Sequence, residues 1–260
     1  MANLAGLTFL ALDGMPLFRP GMSVAAEVVA ALESHGESLA DDDIVVVAQK
    51  IVSKAEGRLV RLIDVEPSGW ASELAAQTAR DPFVMQLIID ESSELLRTTE
   101  AAVIARHRTG HVLANAGIDA SNVEGGEDDV VLLWPLDPDA SARAIRAELH
   151  ALTGARPAVV IADSMGRAWR TGTVGTAIGC AGLTVLDDQR GREQDLFGRT
   201  LQATVIAVAD SIAATASLAM GEGAQGTPAL ILRGGGQWVT DEDGPGAAGG
   251  LRPVAEDMFR

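Results

Sequence analysis

The sequence has one cysteine, two lysines and no apolar run approaching the roughly 18–20 residues that a membrane span needs. With Cys180 alone, no intramolecular disulfide can form, and no Cys/His pattern has the spacing of a metal site. The N-terminus, MANLAGLTFLALDG, has neither the basic start nor the cleavage signature of a secretory signal. Together these absences predict a cytoplasmic protein. G-x-x-x-x-G-K-[ST] occurs nowhere, nor does a strand followed by G-x-G-x-x-G, so a nucleotide site would need another architecture. Positive charge is short too. The formal net charge of −16 opposes non-specific nucleic-acid binding and requires local cations or metal ions for any anionic ligand. What remains is a 260-residue chain, 47% hydrophobic and 22% charged, in the range of a soluble globular protein with a substantial core.

The two lysines, Lys50 and Lys54, fall in one five-residue segment, although the other basic residues are all arginine. They follow the apolar run Ile44–Ala48, which predicts a buried strand leading into a polar loop over 49–57. Helices are predicted over 23–34, 68–79 and 82–97, the last with Phe83, Leu87, Ile88, Leu95 and Leu96 as its apolar stripe. A hairpin turns at Thr109-Gly110, a strand VVLLW follows, and Asp137-Pro138 starts a helix to about Leu152. PAVVIADS reads as a strand ending in a carboxylate, LQATVIAVADSIAATASLAMG as strand then helix, and PALILRGG as the closing strand. VTDEDGPGAAGG predicts a loop, with 236–260 partly flexible. Strands and helices alternate irregularly, which predicts an α+β fold with mixed sheets and packed helices in one domain over 1–260.

Four segments bring together residue types able to handle phosphate. A lysine on a turn after a strand, as in QKIVSKAEG, presents a compact charge to several oxygens, although an ordinary surface loop reads the same way. In NAGIDASNV, Asp119 is a candidate for a hard cation and Asn122 for a nucleotide; an Asx turn is the alternative. In VVIADSMGRAWRTG, Asp163 follows four apolar residues, Ser164 adds a hydroxyl, and Arg167 and Arg170 are spaced to face one anion. In MGEGAQGTP, Glu222 is a candidate metal ligand, and Gly221 and Gly223 would let backbone amides approach phosphates, unless they merely end a helix. Arg233 reads as a phosphate partner or a surface arginine. His107 and His111 flank the hairpin turn and are expected to be solvated. The four tryptophans are expected to pack, and Asp187, Asp188 and Asp195 to lie in a solvated loop. This set suits metal-assisted phosphoryl transfer without naming a substrate.

At these residues the sequence resembles the coenzyme F420:L-glutamate ligases, the gamma-glutamyl ligases of F420 biosynthesis. The resemblance runs through MPLFRPG, IVVVAQKIVSKAEGR, NAGIDASNV, DPDASA, ADSMGRAWRTG, IAVADSIAA and ALILRGG, essentially the whole chain. It implies an intertwined homodimer that uses GTP with Mg²⁺ or Mn²⁺, and K⁺ as a further admissible ion. By motif, Met15, Pro16, Leu17, Phe18, Gln49, Lys54 and Asn122 fall at nucleotide positions, and Asp119, Asp163, Ser164 and Glu222 at metal positions. Family members often carry leucine at 15, a hydroxyl residue at 49 and threonine at 164. The implied reaction joins L-glutamate to the carboxylate of the F420 precursor through an acyl phosphate; on their spacing, Arg167 and Arg170 are assigned to the precursor phosphodiester or the incoming glutamate. Some relatives continue into a flavin-binding nitroreductase-like domain; this chain stops about where one would begin, so no flavin is expected. Competing readings are a ligase acting on another carboxylate, a nucleotide-binding regulator without turnover, and a metal-dependent phosphohydrolase.

Overall fold

A computed structural model describes residues 6–121 and 130–257. Its strands, in chain order, are β1 (Thr8–Leu12), β2 (Ile44–Ala48), β3 (Leu59–Arg61), β4 (Ser92–Thr98), β5 (Val103–His107), β6 (Val112–Ala114), β7 (Val130–Leu132), β8 (Ala158–Arg167), β9 (Arg170–Ala181), β10 (Leu186–Asp188), β11 (Val205–Ala207) and β12 (Ala229–Arg233). The α-helices are α1 (Val24–Ser34), α2 (Gln49–Ala55), α3 (Gly69–Thr78), α4 (Pro82–Asp90), α5 (Pro138–Thr153) and α6 (Val208–Met220). The fold is α+β. Among the described residues, no helix is long and apolar enough to cross a membrane.

The main sheet runs β1-β12-β2-β8-β9, and only its β2–β8 pair is parallel. β2 is apolar at every position because both its faces are covered. Val45, Val47, Val159, Ile161 and Ile231 face α1 and α5, where Val28, Leu32, Ile145 and Leu149 meet them. The alternate residues Ile44, Val46, Val160, Leu230 and Leu232 face α6, through Val208, Ile212, Ala213 and Ala216. Edge strand β9 admits α6 closely at Gly175, where a Cβ would lie 2.3 Å from the Ala213 carbonyl oxygen. Strands β4-β5-β6, the β3–β7 pair and helices α3 and α4 form a smaller layer around Met85, Ile88, Val103 and Leu133.

Three elements differ from the sequence reading. The segment 49–57 is helical over Gln49–Ala55, which places Lys50 and Lys54 one turn apart on the same side. The helix predicted over 82–97 ends at Asp90, with Glu91 as its C-cap. Leu95 and Leu96 belong to β4, where pairing with β5 overrides their helix-compatible spacing. β8 does not stop at the carboxylate but continues to Arg167, because β9 keeps pairing with it after β2 has ended. The stretch after β12 is tied at several points. Buried Arg146 of α5 donates to the carbonyls of Pro157, Thr240 and Asp241 and to the Asp243 carboxylate. Asp139 accepts from Ala247 N–H at 2.6 Å.

Candidate active site

The two parallel strands end side by side, with Ala48 opposite Ala162, and each delivers a charged residue at that level. From β2 the chain turns straight into α2, which carries Lys50 in its first turn. From β8 comes Asp163. A third contributor, Asp119, is bridged to Leu132 in both directions, which fixes the backbone on either side of its carboxylate. Lys50 Nζ donates to Asp119 Oδ2 at 2.6 Å and to Ser121 Oγ at 2.5 Å. The Ser121 N–H and hydroxyl donate to the same carboxylate. Burial alone would raise the Asp119 pKa, but Lys50 and Ser121 outweigh it and hold the group below the usual carboxylate range.

Asp163 has the opposite balance. Burial pushes its pKa up to about 6, against the N–H of Ser164, the indole N–H of Trp134 and the charge of Lys50, with the negative charge of Asp119 adding to the rise. Trp134 Nε1 donates to Asp163 Oδ2 at 2.7 Å and Ser164 N to Oδ1 at 2.8 Å. The indole is fully buried, with His107 at 4.9 Å and His111 at 5.5 Å between ring centroids. Gly117 lies directly against it. A Cβ there would come within 2.5 Å of Nε1, and φ is +74°, so only glycine suits this position. Ser164, on the other face of β8, donates its hydroxyl to Glu222 in the loop after α6.

Several expected residues take other positions. Gln49 is buried, its amide donating to Ser53 Oγ and the Leu133 carbonyl, so the side chain turns inward. Phe18 is packed in the core while Leu17 is exposed. The loop that follows them is fastened to α2 by Gly21 N–H donating to the Ala55 carbonyl, and Met15 packs against the main core. Gly221 ends α6, and the Gly223 N–H donates to Gln225 Oε1 at 2.7 Å. Arg167 and Arg170 are register partners flanking a hairpin tip, both exposed. Arg233 pairs with Glu37 and Asp43, so its role is to fasten β12. Asn122 lies outside the described residues.

His107 and His111 are buried, not solvated, because the hairpin folds back over Trp134. Trp169 is 89% exposed and Trp70 54% exposed, so neither packs as expected. Sequence reasoning passed over Lys50 in favour of Lys54, and it missed Ser121 and Trp134. The confinement of both lysines to one segment was the available signal for Lys50.

Asp119, Asp163, Ser164 and Glu222 offer only oxygen, the donor chemistry of a hard divalent cation. Among the described residues, no three His, Cys, Asp or Glu side chains gather into a cluster able to hold a metal on their own. Two carboxylates sharing an ion with water and phosphate oxygens is the Mg²⁺ pattern rather than an all-protein cage. The under-compensated Asp163 and the Lys50 ammonium seated on Asp119 mark this place as one that favours positive charge. The residues present therefore fit such an ion.

The sequence pattern of the F420-0:Gamma-glutamyl ligase family matches residues 14–234. The chain belongs to that family. Among similar F420-0:gamma-glutamyl ligase relatives is the coenzyme F420:L-glutamate ligase of Methanothermobacter thermautotrophicus, 44% identical over 98% of this chain and 99% of its own length. The ligase of the same description from Methanopyrus kandleri is 40% identical over 99% of this chain and 100% of its own. That from Methanocaldococcus jannaschii is 40% identical over 95% and 94%. The family match spans every segment of the site described above, from the Met15–Phe18 loop to Glu222.

Proposed function

We propose that this protein joins L-glutamate to the terminal carboxylate of coenzyme F420-0 at the expense of GTP, and adds further glutamates through γ-linkages. The observation that carries this reading is the meeting of Asp119, Lys50 and Asp163 where two parallel strands end, beside Ser164 and Glu222. An ionised carboxylate resists attack by an amine. The acceptor carboxylate oxygen therefore first attacks the γ-phosphorus, giving an acyl phosphate and GDP. The glutamate α-amine then adds to the acyl carbon, the C–O bond to phosphate breaks, and the nitrogen gives up a proton to leave the amide.

Lys50 and Lys54, one turn apart on α2, would face the polyphosphate and offset its charge. Met15, Pro16 and Leu17, with the loop of Gly221 and Gly223, would border the nucleotide, and Gln49 would contribute backbone only; Asn122 joins them by motif. Mg²⁺ or Mn²⁺, held by Asp119 and Asp163 with Ser164 and Glu222, would neutralise phosphate oxygens, and K⁺ is a further candidate ion. Trp134 holds the Asp163 carboxylate in one orientation. Arg167 and Arg170 supply positive charge for the acceptor phosphodiester or the incoming glutamate. The β10–β11 arm exposes Leu196, Phe197 and Ile206, an apolar surface that a second copy would cover in a homodimer.

The deciding experiment incubates protein, GTP, Mn²⁺, L-glutamate and F420-0, then reads products by mass spectrometry. Stepwise glutamyl additions, with GDP formed only when both substrates are present, are the expected result. GTP binding without turnover would indicate a regulator, and substrate-independent phosphate release a hydrolase.

A further inference from the structure

A cleft of about 540 Å³ opens at the free edge of the main sheet, between β8, β9 and α6. It begins one residue beyond Ser164. Met165 and Arg167 come from β8, Val174 and Thr176 from β9, and Asp210 and Ser211 from the first turn of α6. Thr176 is the register partner of Asp163, so the inner end lies at the depth of the carboxylate centre, and Arg167 lies toward the hairpin tip.

The lining has two charges of opposite sign. Asp210 accepts from the Ala177 N–H at 3.0 Å, and no cation pairs with it among the described residues. Arg167 donates to the Gly172 carbonyl and pairs with no carboxylate among the described residues. Between them, Met165 and Val174 form an apolar wall. His111, 4% exposed, completes the enclosure. A ligand with negative charge alone, such as a nucleotide or phosphodiester, would meet repulsion at Asp210, with no cation paired to it among the described residues to offset it. A zwitterion with an ammonium for Asp210, methylenes for the apolar wall and a side-chain carboxylate for Arg167 matches the lining.

Resting on the ligase reading above, we propose that this cleft is the subsite for the amino-acid substrate, an α-amino dicarboxylate. Asp210 receives its ammonium at the inner end and Arg167 a carboxylate at the outer end. This orientation sets the ammonium at the strand level of Asp163 and the side-chain carboxylate toward the hairpin tip.

Two variants test the assignment. Asp210→Asn keeps an oxygen for the Ala177 N–H and removes only the charge; Ala214→Leu fills the cleft from α6. Each should raise the KM for L-glutamate about tenfold or more, Asp210→Asn by losing a charged hydrogen bond and Ala214→Leu by occupying the cleft, while the KM values for GTP and F420-0 stay within about twofold. An unchanged glutamate KM, or a rise confined to F420-0 or GTP, overturns the assignment. Calorimetric titration of L-glutamate into the wild-type protein and Asp210→Asn, with and without GTP and Mn²⁺, separates this idea from the ligase reading. If the wild type forms no glutamyl product, that reading falls. The cleft assignment stands only if the wild type binds glutamate and Asp210→Asn binds it much more weakly.

Discussion

Burying the His111 imidazole beside Trp134 links folding to pH. Burial holds its pKa down at about 4, only partly offset by the Ala177 backbone, and the nearby His107 adds to the depression. In an unfolded chain the ring titrates near 6.5. A depressed folded pKa means the stabilisation is complete above about pH 6.5 and is lost as pH falls toward 4, up to roughly 3 kcal/mol. Asp163 acts in the opposite sense, since a carboxyl raised to about 6 binds its proton more readily in the folded state. The informative quantity is therefore the difference between wild type and His111→Gln in urea unfolding. That difference should shrink between about pH 7.5 and about pH 4.5; a constant difference would contradict it. Residues of this kind separate what could be read in advance from what could not. Asp163 stood out in the sequence because it follows four apolar residues, whereas Asp119 read equally as an Asx turn, and its carboxylate does accept from the Ser121 N–H. Trp134 was not legible, because its part depends on Asp163, which lies 29 residues away in the chain.

At the scale of elements, Arg146 fastens the segment after β12 to α5 through the carbonyls of Thr240 and Asp241 and the Asp243 carboxylate. Arg146→Lys cannot reproduce that fork and leaves acceptors unmet, at a cost of roughly 2–4 kcal/mol. The segment should loosen before the sheet does. Cleavage at Glu242 by a glutamate-specific protease is then expected to accelerate well before global unfolding, and equal rates in both proteins would count against the tether. Legibility varied among elements for physical reasons. β2 was readable to the residue because five apolar residues in a row, preceded by three aspartates and followed by Gln49-Lys50, suit a strand covered on both faces. The seven-residue α2 has no side-chain N-cap and continues directly from a strand, so no local signal announced it. β4 kept the apolar spacing of the helix before it. The polar run Glu91-Ser92-Ser93 was the break, and the pairing with β5 that confirms it is not local.

For the molecule as a whole, a charge of −16 means that its surface repels itself. Screening with monovalent salt should raise Tm by a few degrees between about 20 mM and about 300 mM KCl, read by scanning fluorimetry. Mn²⁺ at matched ionic strength should raise it further, and Asp119→Asn should abolish that extra increment while keeping the salt response. A response to Mn²⁺ no larger than to KCl in the wild type would remove support for a specific ion at the carboxylates. The parallel β2–β8 pairing has a kinetic consequence as well. Ile44 meets Ala158 and Ala48 meets Ala162 across more than a hundred residues of intervening chain. Such long-range closure is slow to nucleate. During refolding, Lys50 and Asp163 become neighbours only once this registration is complete, so nucleotide or Mn²⁺ binding should recover with the slowest phase, after helical circular dichroism has returned.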